Sequence, residues 1–336
     1  MEVVTFSYPM KERINNIGVL TSGGDSPGMN ACIRAVVRLG LDNGLTVTGI
    51  YRGFDGLIDG DYSVMGTHDV SNIIQRGGTI LKSARSKRFF KKEYREIAYK
   101  NMNERGIDAL ITIGGDGTFM GAQCMLEEFQ VPILGLPGTI DNDLYGTDNT
   151  IGYDTALNNV VDAVDKIRDT ADSHERLFII EVMGKDAGFI AARSGIAVGA
   201  EAILIPETTT YLDDLINTLK TGWRNNKTSS IIIVAEGDDL GGAFEVEKKI
   251  QEHFNKYETR VSILGYVQRG GSPSAYDRLL ASRLGAEAVQ GLIDGKTGYM
   301  VGIKDNETNY TPLLKAVKHN KAIRSDLIEL ASRLSK

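Results

Sequence analysis

The chain has 336 residues, 42% of them hydrophobic and 24% charged, which allows a substantial core and predicts two domains rather than one. Its net charge of −6, with no long basic block, argues against a nucleic-acid surface, and no apolar run approaches the length of a membrane span. The polar start MEVVTFSYPMKER lacks the apolar region of a secretory signal, so a cytoplasmic protein is expected.

Short β-branched runs alternate with helical patterns. In chain order, NIGVLT reads as a strand, SPGMNACIRAVVRLGLDNG as a helix and LTVTGIY as the next strand. DALITIGG leads into a helix over DGTFMGAQCMLEE, followed by the strand VPILGLPG. Beyond Gly152, Leu157, Val160, Val161, Val164 and Ile167 recur at three- and four-residue steps and mark one helix face. Further strands are LFIIEVM, EAILIP, SSIIIVAE and VSILGYV, with long helices starting near Ala187, Tyr211, Ala243, Ser274 and Arg324. Strands this continuously hydrophobic are covered on both faces by helices. The pattern predicts an α/β fold of two domains, each with a mostly parallel sheet flanked by helices, and a boundary after the PGTIDND loop. Cys32 and Cys124 sit in helical apolar patterns without CxxC spacing, which predicts two buried thiols. The four histidines form no HxxxH or HxH pair, which argues against structural zinc.

Ligands of open α/β sheets collect at the carboxyl ends of the strands. In the first such loop, TSGGDSPGMN, Gly23 and Gly24 let backbone approach a ligand, Ser26 can cap and Pro27 suits a first helical turn. Taken alone, it reads equally well as a tight turn that binds nothing. The second, ITIGGDGTFMG, sets Asp116 among Gly114, Gly115 and Gly117, with Thr118 alongside. An Asp there suits Mg²⁺ while amides contact phosphates. The run from Gly115 is one residue too long for the dinucleotide fingerprint, and no GK[ST] follows, so the loop indicates a nucleotide or phosphate without specifying which. The third, PGTIDND, carries Asp141 and Asp143 and by itself is an ordinary acidic turn. One strand separates it from the second loop, so the two should lie side by side. Phosphate cradles beside an acid pair suit phosphoryl transfer.

TSGGDSPGMN, IGGDGT, LPGTIDND, EVMGK and LGYVQRGGSP stand in the order and at about the spacing of the bacterial ATP-dependent 6-phosphofructokinase family, which the chain resembles from about Ile17 to about Gly302. The resemblance implies a cytoplasmic glycolytic homotetramer that transfers the ATP γ-phosphate to the 1-hydroxyl of fructose 6-phosphate. It implies a nucleotide-binding domain over 1–150 plus about 268–318, and a sugar-phosphate domain over 151–267 plus about 319–336. Gly24, Arg85, Ser86, Gly115, Asp116, Gly117 and Thr118 would hold ATP, with Asp116 serving Mg²⁺. Asp141 would be the base, with Thr139, Asp143 and Lys185 around the transferred group. Ile140, Met183, Gly184, Glu236, Tyr266, Val267, Gln268 and Arg269 would complete the sugar-phosphate site. Arg176 and Arg260 would reach it from a neighbouring subunit. Pyrophosphate-using relatives carry Asp and Lys where this chain has Gly117 and Gly138, so the resemblance favours ATP.

Two departures bear on rate. Lys185 stands where the family usually has Arg and loses the bidentate fork; Tyr266 replaces a His and carries no charge. They keep open a weak or silent nucleotide-binding homologue acting as regulatory subunit or sensor. NAD kinases and lipid kinases also carry GGDGT but lack the TIDND and QRGGSP pair. Arg34, Arg38, Arg168, Gly199, Glu201 and Lys227 match family positions for regulatory ADP or phosphoenolpyruvate, although Arg34 and Arg38 read alone are a solvated helix face. Thr67, Asn225 and Ser229 replace basic or His positions there, which predicts weak or absent ADP activation.

Overall fold

Strands and helices alternate through most of the described residues. In the computed structural model, which describes residues 14–174, 176–224, 230–319 and 321–334, the order begins β1 (Asn16–Thr21), α1 (Met29–Asp42), β2 (Thr46–Ile50), α2 (Gly53–Asp59), β3 (Tyr62–Val64) and α3 (Lys92–Glu104). It continues β4 (Ala109–Gly114), α4 (Asp116–Phe129), β5 (Ile133–Pro137), α5 (Tyr153–His174), β6 (Arg176–Val182), α6 (Phe189–Ala197), β7 (Ala202–Leu204) and α7 (Leu212–Arg224). The rest is β8 (Ser230–Ala235), α8 (Ala243–His253), β9 (Glu258–Ile263), α9 (Ala275–Ile293), β10 (Tyr299–Lys304), β11 (Glu307–Pro312), α10 (Leu313–Lys318) and α11 (Ser325–Leu334). None of the described helices is long and apolar enough to cross a membrane.

These elements sort into two units. The first takes described residues 14–139, 144–152 and 271–319; the second takes 140–143, 153–270 and the described residues from 321.

The first unit is built on a seven-stranded sheet in the order β11-β10-β5-β4-β1-β2-β3. Its inner pairs are parallel, and the edge pairs β2/β3 and β10/β11 are antiparallel. Every residue of β4 is buried, as expected of a strand covered on both faces. One face packs on α1 and α9 through Ile33, Val36, Leu280 and Leu284; the other packs on α2, α3, α4 and α10 through Leu57, Met102, Phe119 and Leu313. At the start of α9, Ser274 accepts the Asp277 amide at 3.2 Å, a cap that fixes where the helix begins.

The second unit holds a four-stranded, all-parallel sheet in the order β7-β8-β6-β9. Ile180, Ile231 and Ile233 face α5 and α6, whereas Ile179, Ile232 and Val234 face α7 and α8. Successive β-branched residues thus fill opposite layers, the two-residue period of a strand buried on both sides.

Cys32 is fully buried in α1, and burial pushes its thiol pKa up. Cys124 departs from expectation: it is only half-buried, on the flank of α4.

Candidate functional site

Strand order decides which loops meet. Because β5, β4 and β1 are consecutive neighbours, their carboxyl-end loops lie in a row. The Ser22 amide donates to the Ile113 carbonyl at 3.0 Å, and the Gly138 amide donates to the Gly114 carbonyl at 3.0 Å. The Thr118 hydroxyl, 3% exposed, donates to the Ser22 carbonyl at 3.0 Å and pins the first turn of α4 to the loop after β1. A Cβ on Gly114 would come within 2.3 Å of Thr118 Oγ1 and 2.4 Å of the Ser22 oxygen, so only glycine allows that approach. A Cβ on Gly115 would stand 3.7 Å from Thr139 Cβ, which places the second and third loops side by side as expected.

Asp116 opens α4, and its Oδ1 accepts the Gly117 amide at 2.7 Å. Beyond Gly117 there is open space, as the ATP-favouring argument requires. Gly138 is different: a Cβ there would meet Ile113 Cγ2 at 2.9 Å and Met29 Cε at 3.1 Å, so packing alone already demands glycine. Ser26 does not cap α1. Gly28, in the left-handed region at φ 111°, is the N-cap, no side chain caps this terminus, and the Ser26 side chain is fully buried.

A strap containing Arg85 and Ser86 lies along the first loop. The Ser83 hydroxyl donates to the Gly23 carbonyl at 2.7 Å, the Thr21 hydroxyl donates to the Lys82 carbonyl at 2.7 Å, and the Gly23 amide donates to the Ala84 carbonyl at 3.2 Å. Arg85 itself is exposed. Ser86 donates to Asp55 Oδ1 at 2.6 Å and accepts the Phe89 amide at 3.2 Å. Arg88 pairs with Asp55 and Asp59, and its guanidinium holds the Asp59 carboxyl below the usual carboxylate range. Arg95, buried in α3, donates to the Phe89 and Phe90 carbonyls at 2.8 Å each and forms a two-pronged pair with Glu128 of α4. Strap and α4 are therefore fastened to each other.

Where the chain passes into the second unit, buried and half-buried residues alternate. Ile140 and Asn142 are 0% and 1% exposed, while Asp141 and Asp143 are half-buried. Asn142, at φ 55°, accepts from Lys321 Nζ at 2.9 Å. Thr139, on the first unit, accepts the Thr150 hydroxyl on its carbonyl at 2.6 Å.

In the second unit the ends of β6 and β8 and the 3-10 turn Gly265–Arg269 gather the sugar-phosphate candidates. The Met183 amide donates to Gln268 Oε1 at 3.2 Å, and the fully buried Gln268 donates onward to the Gly265 carbonyl at 3.1 Å. Glu236 accepts the amides of Gly184 and Lys185. Tyr266 and Val267 are 83% and 67% exposed, and Arg269 ends the same turn. Arg176 begins β6 and Arg260 lies on β9. Both pair with Glu258, and Arg176 foremost holds that carboxyl below its usual range. Arg176 precedes Met183 by the length of β6, roughly 23 Å at ~3.3 Å per residue. One chain does not bring them together.

Of the effector candidates, Arg34 and Arg38 lie on α1, half-buried and exposed. Arg168 on α5 donates to the Val198 carbonyl, Gly199 turns at φ 60°, and Glu201, 7% exposed, accepts the Ile231 amide. Thr67 is exposed in the first unit. Lys227, Asn225 and Ser229 lie outside the described residues. Reading the sequence did not single out Ser83, Asp55, Arg88, Arg95, Lys321 or Thr150, whose hydrogen bonds and ion pairs brace the segments that carry the candidates.

A model of the family described as phosphofructokinase matches residues 16–292. The chain belongs to the phosphofructokinase family. It is 56% identical over 319 residues to "ATP-dependent 6-phosphofructokinase 2" of Bacteroides thetaiotaomicron, covering 95% of this chain and 98% of that one. It is 53% identical to ATP-dependent 6-phosphofructokinases of Cytophaga hutchinsonii and Thermus thermophilus, covering 96% of this chain and 98% and 100% of theirs. Among solved structures, the phosphofructokinase of Saccharomyces cerevisiae superposes with a TM-score of 0.85 at 34% identity, covering 90% of this chain and 45% of that one. That of Pichia pastoris in the T-state gives 0.86 at 35%, covering 98% and 37%. The chain thus spans less than half of each yeast chain. A pyrophosphate-dependent phosphofructokinase from Marinobacter aquaeolei, at 20% identity and a TM-score of 0.83 over 96% of this chain and 91% of that one, shares the phosphofructokinase fold.

Proposed function

We propose that this chain is an ATP-dependent 6-phosphofructokinase, transferring the γ-phosphate of ATP to the 1-hydroxyl of fructose 6-phosphate to give the 1,6-bisphosphate and ADP. The observation that carries this reading is identity of 53–56% to curated enzymes of that name across 95–96% of the chain. Nothing favours the purely regulatory alternative.

The nucleotide lies along the loops after β1 and β4, where backbone amides and the positive end of α4 face its phosphates. Mg²⁺ fits the residues present: a small cation that keeps several waters and arrives with phosphate oxygens needs one or two carboxylates, and Asp116 supplies one at the helix start. When bound, it neutralises phosphate charge. Asp141 takes the proton from the acceptor hydroxyl as the P–O bond forms, and Thr139, Asp143 and Lys185 orient the transferring group. Asn142 and Ile140, buried on either side of Asp141, keep that carboxylate on a rigid segment. The Met183–Lys185 turn, Glu236 and Arg269 hold the sugar phosphate. The separation of Arg176 from the Met183 end of β6 supports a shared site in a homotetramer, in which those arginines serve a neighbouring subunit. The enzyme works in the cytoplasm.

The test is turnover of purified protein with ATP, Mg²⁺ and fructose 6-phosphate, coupled to detection of fructose 1,6-bisphosphate. Asp141→Asn removes the proton acceptor but keeps the shape, so turnover falls at least about 100-fold with sugar-phosphate binding retained. An inactive wild type that still binds both ligands would instead favour the sensor reading.

A further inference from the structure

We propose that Glu236 is a positioning residue: one oxygen of its carboxylate fixes the left-handed turn that presents Lys185. The inference rests on the reading above, in which Lys185 orients the transferring phosphoryl group, and it adds a route by which a second residue controls that orientation.

Lys185 has φ 58°, a conformation that a residue with a Cβ adopts only when its surroundings impose it. The surroundings here can be named. Glu236 Oε1 accepts the Lys185 amide at 2.6 Å and the Gly184 amide at 3.3 Å. Two successive N–H groups converging on one oxygen form a small anion nest, filled here by the protein's own carboxylate. Glycines on either side make the arrangement possible. Gly184 has φ 145°, and a Cβ on it would fall 2.4 Å from the Ala187 carbonyl oxygen. A Cβ on Gly237, the residue after Glu236, would fall 2.4 Å from the Lys185 carbonyl oxygen. The preceding amide, Met183, is taken by the buried Gln268. Three consecutive amides are thus held by two side chains from separate elements, and the last of them belongs to the strained residue.

The consequence is a division of labour within one carboxylate. Oε1 is committed to backbone and orients Lys185, so truncating Glu236 disturbs phosphoryl transfer as well as any contact Glu236 makes with sugar. A purely ligand-binding Glu236 would leave the ligand-free turn unaffected when removed, which separates the two roles.

Hydrogen–deuterium exchange on the full-length, ligand-free protein reads this directly in peptides spanning residues 183–186. Glu236→Ala, and Glu236→Asp with its carboxylate one methylene short, should speed exchange of the Gly184 and Lys185 amides at least about tenfold, while peptides of β8 stay protected as the folding control. Glu236→Gln keeps an acceptor oxygen of the same reach and should stay within about threefold of wild type. In steady-state assays with ATP and fructose 6-phosphate, Glu236→Ala should add little to the kcat loss of Lys185→Ala, because both remove the same orientation. Unchanged exchange at residues 184–185 in both Glu236→Ala and Glu236→Asp would overturn the proposal, as would kcat losses that multiply in the double variant. If the wild type fails to phosphorylate fructose 6-phosphate, the functional reading fails, while the exchange experiment still decides whether Glu236 holds the turn.

Discussion

Thr118 offers the sharpest test of how the glycine-rich loops are built. Thr118→Val keeps the branched shape and removes only the hydroxyl, which donates to the Ser22 carbonyl at 3.0 Å from a side chain 3% exposed. A neutral hydrogen bond contributes ~1 kcal/mol net, and an acceptor left buried without a partner costs about 1–3 kcal/mol; Ser22 is 5% exposed, so about 2 kcal/mol is expected. At about 1.4 kcal/mol per tenfold, the ceiling is roughly a 30-fold loss of ATP affinity if the whole penalty falls on alignment of the two loops. The assay has two arms: KM for ATP and for fructose 6-phosphate in steady state, and thermal unfolding without ligand. The expected result is an ATP KM raised about 5- to 30-fold, a fructose 6-phosphate KM within about twofold, and a lower ligand-free midpoint, with Thr118→Ser close to wild type in all three. If Thr118→Val leaves the ligand-free midpoint unchanged, the hydroxyl does not join the loops and the reasoning fails.

Gly138→Ala should destabilise by about 1–3 kcal/mol through overpacking against Ile113 and Met29, whereas Gly117→Ala, entering open space on a helix, should leave the midpoint unchanged or slightly raised; equal effects in calorimetry would contradict the packing described. Because the hydrogen-bonded Arg95 guanidinium holds the Glu128 carboxyl below the usual carboxylate range, the ionised pair stabilises the fold above the ordinary glutamate pKa and is lost as pH falls through the depressed folded value. Glu128→Gln should therefore lower the unfolding midpoint at neutral pH, with a gap to wild type that narrows below about pH 4.5; a gap independent of pH would contradict it. Activation by sub-millimolar ADP should be weak or absent in steady-state assays at limiting fructose 6-phosphate, and wild-type-like activation of the kind known cation-rich pockets give would refute the charge argument.

Strands that are apolar on both faces were legible because nothing else requires such continuous runs; β1, β4, β5, β6 and β8 fall where they were expected. β11 was not, because ETNYTP is an edge strand whose exposed positions carry polar groups and so show no apolar run. β9 begins at Glu258, before its expected start, and ends at Ile263, after which the backbone turns over at Gly265 with φ 49°. The glycine-rich loop after β4 suggested a phosphate or nucleotide ligand from its residues, whereas the loop after β1 read alone was equally a bare turn. Their fasteners did not, because a hydrogen bond such as Thr118 to Ser22 or Lys321 to Asn142 joins residues 96 and 179 positions apart, and neither end looks unusual in isolation. Ser26 shows the converse failure: a good capping residue in a good place, made irrelevant when Gly28 took the left-handed position at the helix start.

The path of the chain constrains how such a protein can be cut or rebuilt. Backbone passes from one unit to the other at 139/140, 143/144, 152/153, 270/271 and again after residue 319. Neither half is therefore encoded by an uninterrupted stretch. A fragment ending at residue 139 would lack β10 and β11, leaving β5 as a bare sheet edge with its hydrogen-bonding groups exposed. Shuffling one unit between homologues would need several simultaneous junctions, so a change of ligand preference is far more accessible through point substitutions in the loops.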